Sequence, residues 1–352
     1  MADSRPIGQL SEAELLASFL PIIDQHNKRV LAKGQQNKPS LQLGPGDDCA
    51  LLDLTEASTA VTIDSLTENQ DFRQVWPCGQ VTRGYDLGWK LASQNLADLA
   101  AMGAQPVSLL VSLGLPAEQP LDWLCDFAQG LVDSCWQQGA TSCTVSGGDL
   151  GKSREISATA TALGRVLGRP ITRSAARDKD ILAFNGHLGL AAAGLALLEQ
   201  PKEPDKNQPV LTRAIEQQLR PQAAILAGQT AGSCAHAMLD ISDGLLRDAD
   251  RLAQASGLTI SIESSRLAAA LELLKPVARW LLPEAGAEEL EQECLTWALT
   301  GGEDHAMLAC FAPAELAEGF WPLGVCHKTE ASAGVLLDGL QPRQLGWDHF
   351  AR

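Results

Sequence analysis

The chain is short of basic residues. Its 352 residues include 27 Lys and Arg against 43 Asp and Glu, a formal net charge of −16. Nucleic acids and anionic membrane surfaces both require clustered positive charge, so neither is expected as a partner. An anionic substrate stays open, because a bound divalent cation reverses the local sign. No apolar run approaches the roughly 18 residues of a membrane span. The first twenty residues carry Glu12 and Glu14 and lack the basic start and apolar core of a signal peptide. The nine cysteines stand singly, and none forms a C-x-x-C pair. An odd, scattered set argues against a disulfide framework or a zinc site and fits reduced thiols. The expectation is a cytoplasmic protein.

The common nucleotide signatures are missing too. Gly151-Lys152-Ser153 ends like a P-loop, but that pattern needs glycine five positions before Gly151, where Ser146 stands. No kinase Gly-rich loop or catalytic-loop signature occurs. No dense D-x-D-x-D-G calcium loop is present, and the six histidines lie far apart without metal spacing.

What the chain does have is six short acidic motifs, most of them flanked by glycine. They are Gly46-Asp47-Asp48, Thr62-Ile63-Asp64, Asn95-Leu96-Ala97-Asp98, Gly147-Gly148-Asp149, Asp240-Ile241-Ser242-Asp243-Gly244 and Gly301-Gly302-Glu303-Asp304. Any one of them alone reads best as a surface turn. Together, several after buried-looking strands, they suit Mg²⁺ and polyphosphate. Mg²⁺ takes oxygen ligands and shares substrate phosphates, and glycines admit a phosphate close to the backbone.

A length of 352 residues is too long for one ordinary core, so two domains are expected. Hydrophobic content of 45% and charged content of 20% describe a globular chain. Helical periodicity covers 9–32, 85–102 (stopped by Gly103), 121–138 (ended by Gly139), 190–198, 245–255 (stopped by Gly257) and about 265–293. Strand-like runs cover 60–63, 107–115, 141–145, 156–163, 181–184, 237–241, 259–262 and 306–311. The character changes near Gly168, where a charged linker begins. This gives an α/β (α+β) class with domains at 1–168 and 169–352.

Within the helix around Asp98, Leu91, Leu96, Leu99 and Met102 form the expected buried stripe. Asn95 and Asp98 neighbour each other on another face. Taken alone they read as a polar surface pair, with metal ligation the alternative. Ser242 or Asp243 is a plausible N-cap for the helix at Leu245. A cap explains one acidic residue and not both Asp240 and Asp243. Asp240 sits in an apolar run and should be paired or metal-bound. Arg173, on the linker, could grip phosphate in bidentate fashion.

In combination the segments GPGDDCALLD (44–53), TIDSLTE (62–68), KLASQNLADLAAMGAQP (90–106), SGGDLGKS (146–153), ITRSAA (171–176), LDISDGLLRD (239–248), LTGGEDHAML (299–308) and GWDHF (346–350) resemble the thiamine-monophosphate kinase family, within the aminoimidazole-ribonucleotide-synthetase-like superfamily. The resemblance covers most of the chain. It implies an N-terminal domain that dimerises through its sheet and binds ATP and Mg²⁺. It implies a C-terminal α/β domain that completes the nucleotide and substrate site. The implied reaction converts ATP and thiamine monophosphate to ADP and thiamine diphosphate by direct transfer. Metal positions map to Asp48, Thr62, Asp64, Asp98, Asp149, Asp240 and Asp243. Nucleotide positions map to Gly148, Asp149, Arg173 and Ser242. Glu303 and Trp347 match positions at the thiamine end. Ile63 stands where the family commonly has Thr, so its ligand would be backbone oxygen. Asp71 stands where a substrate-contacting His is common; either it faces the cationic thiazolium or that contact is lost. Leu150 and His305 also depart from the usual Thr and Tyr. Two alternatives are another ATP-dependent synthetase of the superfamily and a non-catalytic nucleotide or thiamine-phosphate binding protein.

Overall fold

A computed structural model describes residues 5–6, 9–10, 12–33, 41–43, 51–52, 58–205, 207–329 and 332–347. Asp48 and the Gly46-Asp47-Asp48 motif lie outside the described residues, as do the last three residues of GWDHF. The chain divides into two compact units. One comprises Met1–Trp76, Val81–Leu99 and Ala104–Arg169; the other comprises Pro77–Gln80, Ala100–Gly103 and Pro170–Arg352. Among the described residues no helix is long and apolar enough to cross a membrane, and all eight cysteines are free thiols.

The first unit contains α1 (Glu12–Lys33), the short pair β1 (Leu41–Leu43) and β2 (Leu51–Leu52), β3 (Ser58–Thr67), α2 (Gly84–Ala101), β4 (Gln105–Leu115), α3 (Leu121–Gln137), β5 (Thr144–Lys152) and β6 (Ser157–Val166). Its main sheet has the order β3-β6-β4-β5. Only β4 and β5 run parallel. One face is built for close helix packing. Ala158, Ala160 and Ala162 of β6 are wholly buried there, as are Leu91, Leu96 and Leu99 of α2, to within 1%. A Cβ on Gly164 would sit 3.0 Å from Leu99 Cδ2, which shows how tightly α2 lies on the small residues of β6. Each buried leucine contributes about 1.5–3 kcal/mol relative to exposure. The opposite face leaves Val61 and Ile63 of β3 more than 60% exposed and Leu110 of β4 37% exposed.

The free edge of β5 is covered by α1. Asn27 donates through Nδ2 to the Val145 carbonyl (2.9 Å) and accepts the Val145 N–H at Oδ1 (3.0 Å). The neighbouring His26 ring pairs with the Cys143 carbonyl at 2.7 Å. A side-chain amide thus replaces the missing strand and blunts an aggregation-prone edge. Burial holds the His26 pKa below its ordinary value.

The second unit contains β7 (Ile181–Asn185), α4 (Leu190–Leu198), α5 (Pro209–Leu219), α6 (Ile225–Ala231), β8 (Ala237–Asp240), α7 (Leu245–Ser256), β9 (Leu258–Ile262), α8 (Ala268–Leu281), α9 (Ala287–Thr300), β10 (Met307–Phe311), β11 (Trp321–Lys328) and β12 (Gly334–Leu337). Its sheet order is β12-β9-β11-β7-β10-β8, antiparallel except for β12 with β9. In α7, Leu245, Leu246, Ala249, Leu252 and Ala253 are buried, one stripe at helical spacing that faces the core.

Two expectations need correction. The segment 265–293 is not one helix: a 3-10 turn at Ser264–Leu267 precedes α8, and a break separates α8 from α9. Pro283 disfavours helical backbone at Leu282, which adopts φ −123° and ψ 67°. The strand expected at 141–145 instead runs from Thr144 to Lys152, straight through Gly147-Gly148-Asp149. Pairing with β4 carries it through glycines that read locally as a turn.

Candidate active site

In the first unit, β3 and α2 bring two of the acidic motifs together. Thr62 and Asp64 alternate with Ile63 along β3, so they share the face that α2 covers. Thr62 Oγ1 donates to Asp98 Oδ2 across 2.5 Å. Ile63 points the other way and is 64% exposed. Only its main chain could serve a metal, and β3 is an edge strand whose outer main-chain groups lie outside the ladder. Asn95 is not the surface residue that its spacing suggested. It is fully buried; Nδ2 donates to the Leu91 carbonyl at 2.9 Å, and Oδ1 has no partner among the described residues. The buried stripe holds at Leu91, Leu96 and Leu99, Met102 lies past the end of α2 and is only half-buried, and Asn95 falls inside the stripe.

Asp149 lies elsewhere in the same sheet. It stands opposite Ser112, in a row that continues through Thr159 to Ser65. That row belongs to the outer face, where the Ser65 and Thr159 hydroxyls bond at 2.7 Å. Within one chain, the sheet therefore separates Asp149 from Thr62, Asp64 and Asp98. Gly148 has a structural reason of its own. A Cβ there would collide with the Val111 carbonyl beside the register shift between β4 and β5. Asp71 closes the turn after β3: Oδ2 accepts the Thr67 N–H at 2.7 Å.

In the second unit, the turn between β8 and α7 and the Gly-Gly-Glu-Asp loop dock backbone to backbone. The β8–β10 ladder continues past its last pair, with Ile241 N–H to the Ala306 carbonyl (2.8 Å), His305 N–H to the Ile241 carbonyl (3.0 Å) and Glu303 N–H to the Ser242 carbonyl (2.9 Å). Trp347 N–H reaches the Asp243 carbonyl at 2.9 Å. So close an approach requires glycine at 302, where a Cβ would meet the Ser242 oxygen. Glu303 and His305 both adopt positive φ, 65° and 50°, a strained conformation for non-glycine residues. Ser242, Asp243, Glu303 and Trp347 are thereby assembled around one turn. Arg173 is exposed on the linker, its carbonyl bonded to Ser256 Oγ at 2.8 Å.

The expected N-cap does not form. Gly244 occupies that position without a side-chain cap. Instead Asp248 reaches back: its Oδ2 accepts the N–H groups of Ser242 (3.1 Å) and Asp243 (3.0 Å). Its Oδ1 meets Arg251 Nη1 at 2.8 Å, and the same nitrogen lies 2.6 Å from Asp243 Oδ2. Burial pushes the Asp248 carboxyl up to about 7, aided by the charge of Asp240. Asp240 is itself paired, accepting from His305 Nδ1 at 3.0 Å. Asp304 is not a metal or phosphate group. It is wholly buried, and its two oxygens accept the Leu190 (3.1 Å) and Ala191 (2.9 Å) N–H groups at the start of α4. Burial raises its carboxyl to about 6.

Sequence reasoning missed Asp248, Arg251 and the capping role of Asp304. The i,i+3 spacing of Asp248 and Arg251 on a helix was the available signal. The donors suit Mg²⁺ in kind: Thr62 offers a hydroxyl bonded to the Asp98 carboxylate, Asp64 lies two residues along the same face of β3, and Asn95, one turn before Asp98 on α2, has a buried amide oxygen without a partner among the described residues. Within the described residues no three His, Cys, Asp or Glu side chains converge enough to hold an ion alone. A metal here would complete its shell with water or phosphate.

Residues 46–166 match the family model for the N-terminal domain of AIR synthase related proteins. The fold and this match define the class as AIR synthase-like. Thiamine-monophosphate kinase from Mycobacterium tuberculosis (strain CDC 1551 / Oshkosh) is 35% identical over 324 residues, covering 91% of this chain and 89% of that protein. The crystal structure of thiamine-monophosphate kinase from Stenotrophomonas maltophilia K279a superposes with a TM-score of 0.74 at 28% identity, covering 91% and 96% of the two chains. The structure of AaThiL complexed with AMPPCP and TMP gives a TM-score of 0.72 at 28% identity, covering 97% and 99%. The chain belongs to the thiamine-monophosphate kinase family, and it is a kinase.

Proposed function

We propose that this kinase transfers the terminal phosphoryl group of ATP to thiamine monophosphate, yielding ADP and thiamine diphosphate, with Mg²⁺ as the metal. The observation that carries this reading is the relative complexed with AMPPCP and TMP, which covers nearly the whole of this chain. The oxygen-donor cluster around Thr62 and Asp98 supports it.

The acceptor is a phosphate oxygen. Phosphomonoesters have a second pKa of about 6, so it is largely ionised at neutral pH. No strong general base is then needed. Two polyanions must be neutralised and held in line. Mg²⁺, when bound, supplies that neutralisation. Several Mg²⁺ ions would be held, by Asp48, Thr62, Asp64, Asp98, Asp149, Asp240 and Asp243, with the Ile63 main chain; Asp149, on the opposite face of the sheet, would serve a different ion from Thr62, Asp64 and Asp98. Gly148, Asp149, Arg173 and Ser242 would contact the nucleotide. Trp347, 59% exposed, offers its ring to the thiamine end rather than to a core, and Glu303 stands on the docked loop beside it. Asp71 spends Oδ2 on Thr67, which leaves Oδ1 to face the cationic thiazolium. Transfer is direct, with no phosphoenzyme. A second copy of the chain covers the outer face of the first unit's sheet, where Val61, Ile63 and Leu110 are exposed, which makes the enzyme a homodimer.

The test is product analysis. Purified protein is incubated with ATP, Mg²⁺ and thiamine monophosphate, with free thiamine as control acceptor, and ADP and thiamine diphosphate are quantified by chromatography. Equal, Mg²⁺-dependent formation of both from the monophosphate alone is expected. Nucleotide binding without thiamine diphosphate formation would overturn the reading in favour of a binding protein or a sister synthetase.

A further inference from the structure

Asp243 does not await a metal with a bare carboxylate. Arg251 Nη1 lies 2.6 Å from its Oδ2. The same nitrogen is held by Asp248 Oδ1 at 2.8 Å. Asp248 is in turn fixed: its side chain is 2% exposed, and its other oxygen takes the amides of Ser242 and Asp243. One buried carboxylate thus shapes the turn and aims a guanidinium at the acidic side chain of that turn. Asp243, at 18% side-chain exposure, is partly shielded from water, so the charge pair is poorly screened.

We infer that Arg251 is a resident counter-cation that competes with metal at Asp243, keeping divalent binding at this turn weak until a nucleotide polyphosphate is present. This rests on the reading of Asp243 as a metal ligand. A divalent ion on Asp243 must either displace Arg251 from Oδ2 or take Oδ1 beside a like charge; both lower its affinity. The negative charge of a bound polyphosphate offsets that repulsion. Asp248 keeps its own bond to Arg251 when Asp243 lets go, so the guanidinium stays tethered to α7. The consequence is order: metal enters this part of the site with the nucleotide and not ahead of it. Arg251 is a positioning residue whose removal opens no core, since its side chain is 41% exposed.

The experiment is Mn²⁺ binding to the full-length, nucleotide-free protein, followed by electron paramagnetic resonance and calorimetry. Arg251→Met should tighten binding about tenfold, which corresponds to ~1.4 kcal/mol. Arg251→Lys, which keeps the charge, should stay near wild type. With AMPPCP present the gap between Met variant and wild type should close. Asp243→Asn, measured with AMPPCP present, tests the underlying reading: full Mn²⁺ affinity in that variant places the metal elsewhere and removes both ideas. If Asp243→Asn weakens binding with AMPPCP while Arg251→Met leaves nucleotide-free binding unchanged or weaker, the metal-ligand reading stands and the competitor role is refuted.

Discussion

Gly302→Ala probes the docking of the two loops that assemble Ser242, Asp243, Glu303 and Trp347. A Cβ at 302 would lie 2.3 Å from the Ser242 oxygen, 3.2 Å from its carbon and 3.3 Å from the Asp243 Cα. Comfortable non-bonded separations are about 3.5 Å or more, so the loops must part by roughly 1 Å. The Glu303 N–H to Ser242 carbonyl bond, now 2.9 Å, would then exceed bonding range. Overpacking costs about 1–3 kcal/mol, and each lost hydrogen bond about 1 kcal/mol. The variant should therefore be less stable by about 2–4 kcal/mol in urea titration, a fall in Tm of several degrees. Displacing Ser242 and Asp243 by that distance should also lower kcat/KM on the order of 100-fold. Gly286→Ala is the control, because no atom lies within 4 Å of a Cβ there. If Gly302→Ala matched that control in urea midpoint and turnover, the docking argument would be wrong.

Asp304→Asn tests the buried cap of α4. The folded carboxyl titrates at about 6 against an ordinary 3.8. Between those values the unfolded chain has lost the proton and the folded chain keeps it, so this group's contribution to stability falls as pH rises, by ~1.4 kcal/mol per pH unit. The Asn variant lacks that slope, so its stability deficit relative to wild type should shrink from pH 4 to pH 6.5; a constant deficit across urea titrations would refute the assignment. Asp149→Asn and Asp243→Asn should each abolish phosphoryl transfer with circular dichroism unchanged, and near-normal activity in both would sink their role as metal ligands. Ile63→Glu, placing a charge on the outer sheet face where Ile63 is 64% exposed, should shift the protein from dimer to monomer in sedimentation; an unmoved dimer would locate the interface elsewhere.

Local order was readable from the chain alone. Gly103, Gly139 and Gly257 adopt left-handed backbone with φ of 68°, 90° and 66°, and they follow α2, α3 and α7 closely, because a glycine stop is a property of a few adjacent residues. Most of the apolar stripe of α2, the extent of α7 and the acidic motifs were legible for the same reason, and the motif combination was enough to reach the family. Other features depend on residues distant in the chain. Gly147-Gly148-Asp149 continues a strand because β4 supplies hydrogen bonds from nearly forty residues away, as the Leu110–Gly147 pairing shows. Asp304 serves α4, more than a hundred positions earlier. Asp98 gains Thr62 only when α2 lies on β3. Asp149 parts company with those residues only because the register of the sheet turns it to the other face. Periodicity and caps are governed by neighbours in sequence. Which carboxylate becomes a cap or half of an ion pair is governed by what burial brings beside it, and only the tertiary structure decided that.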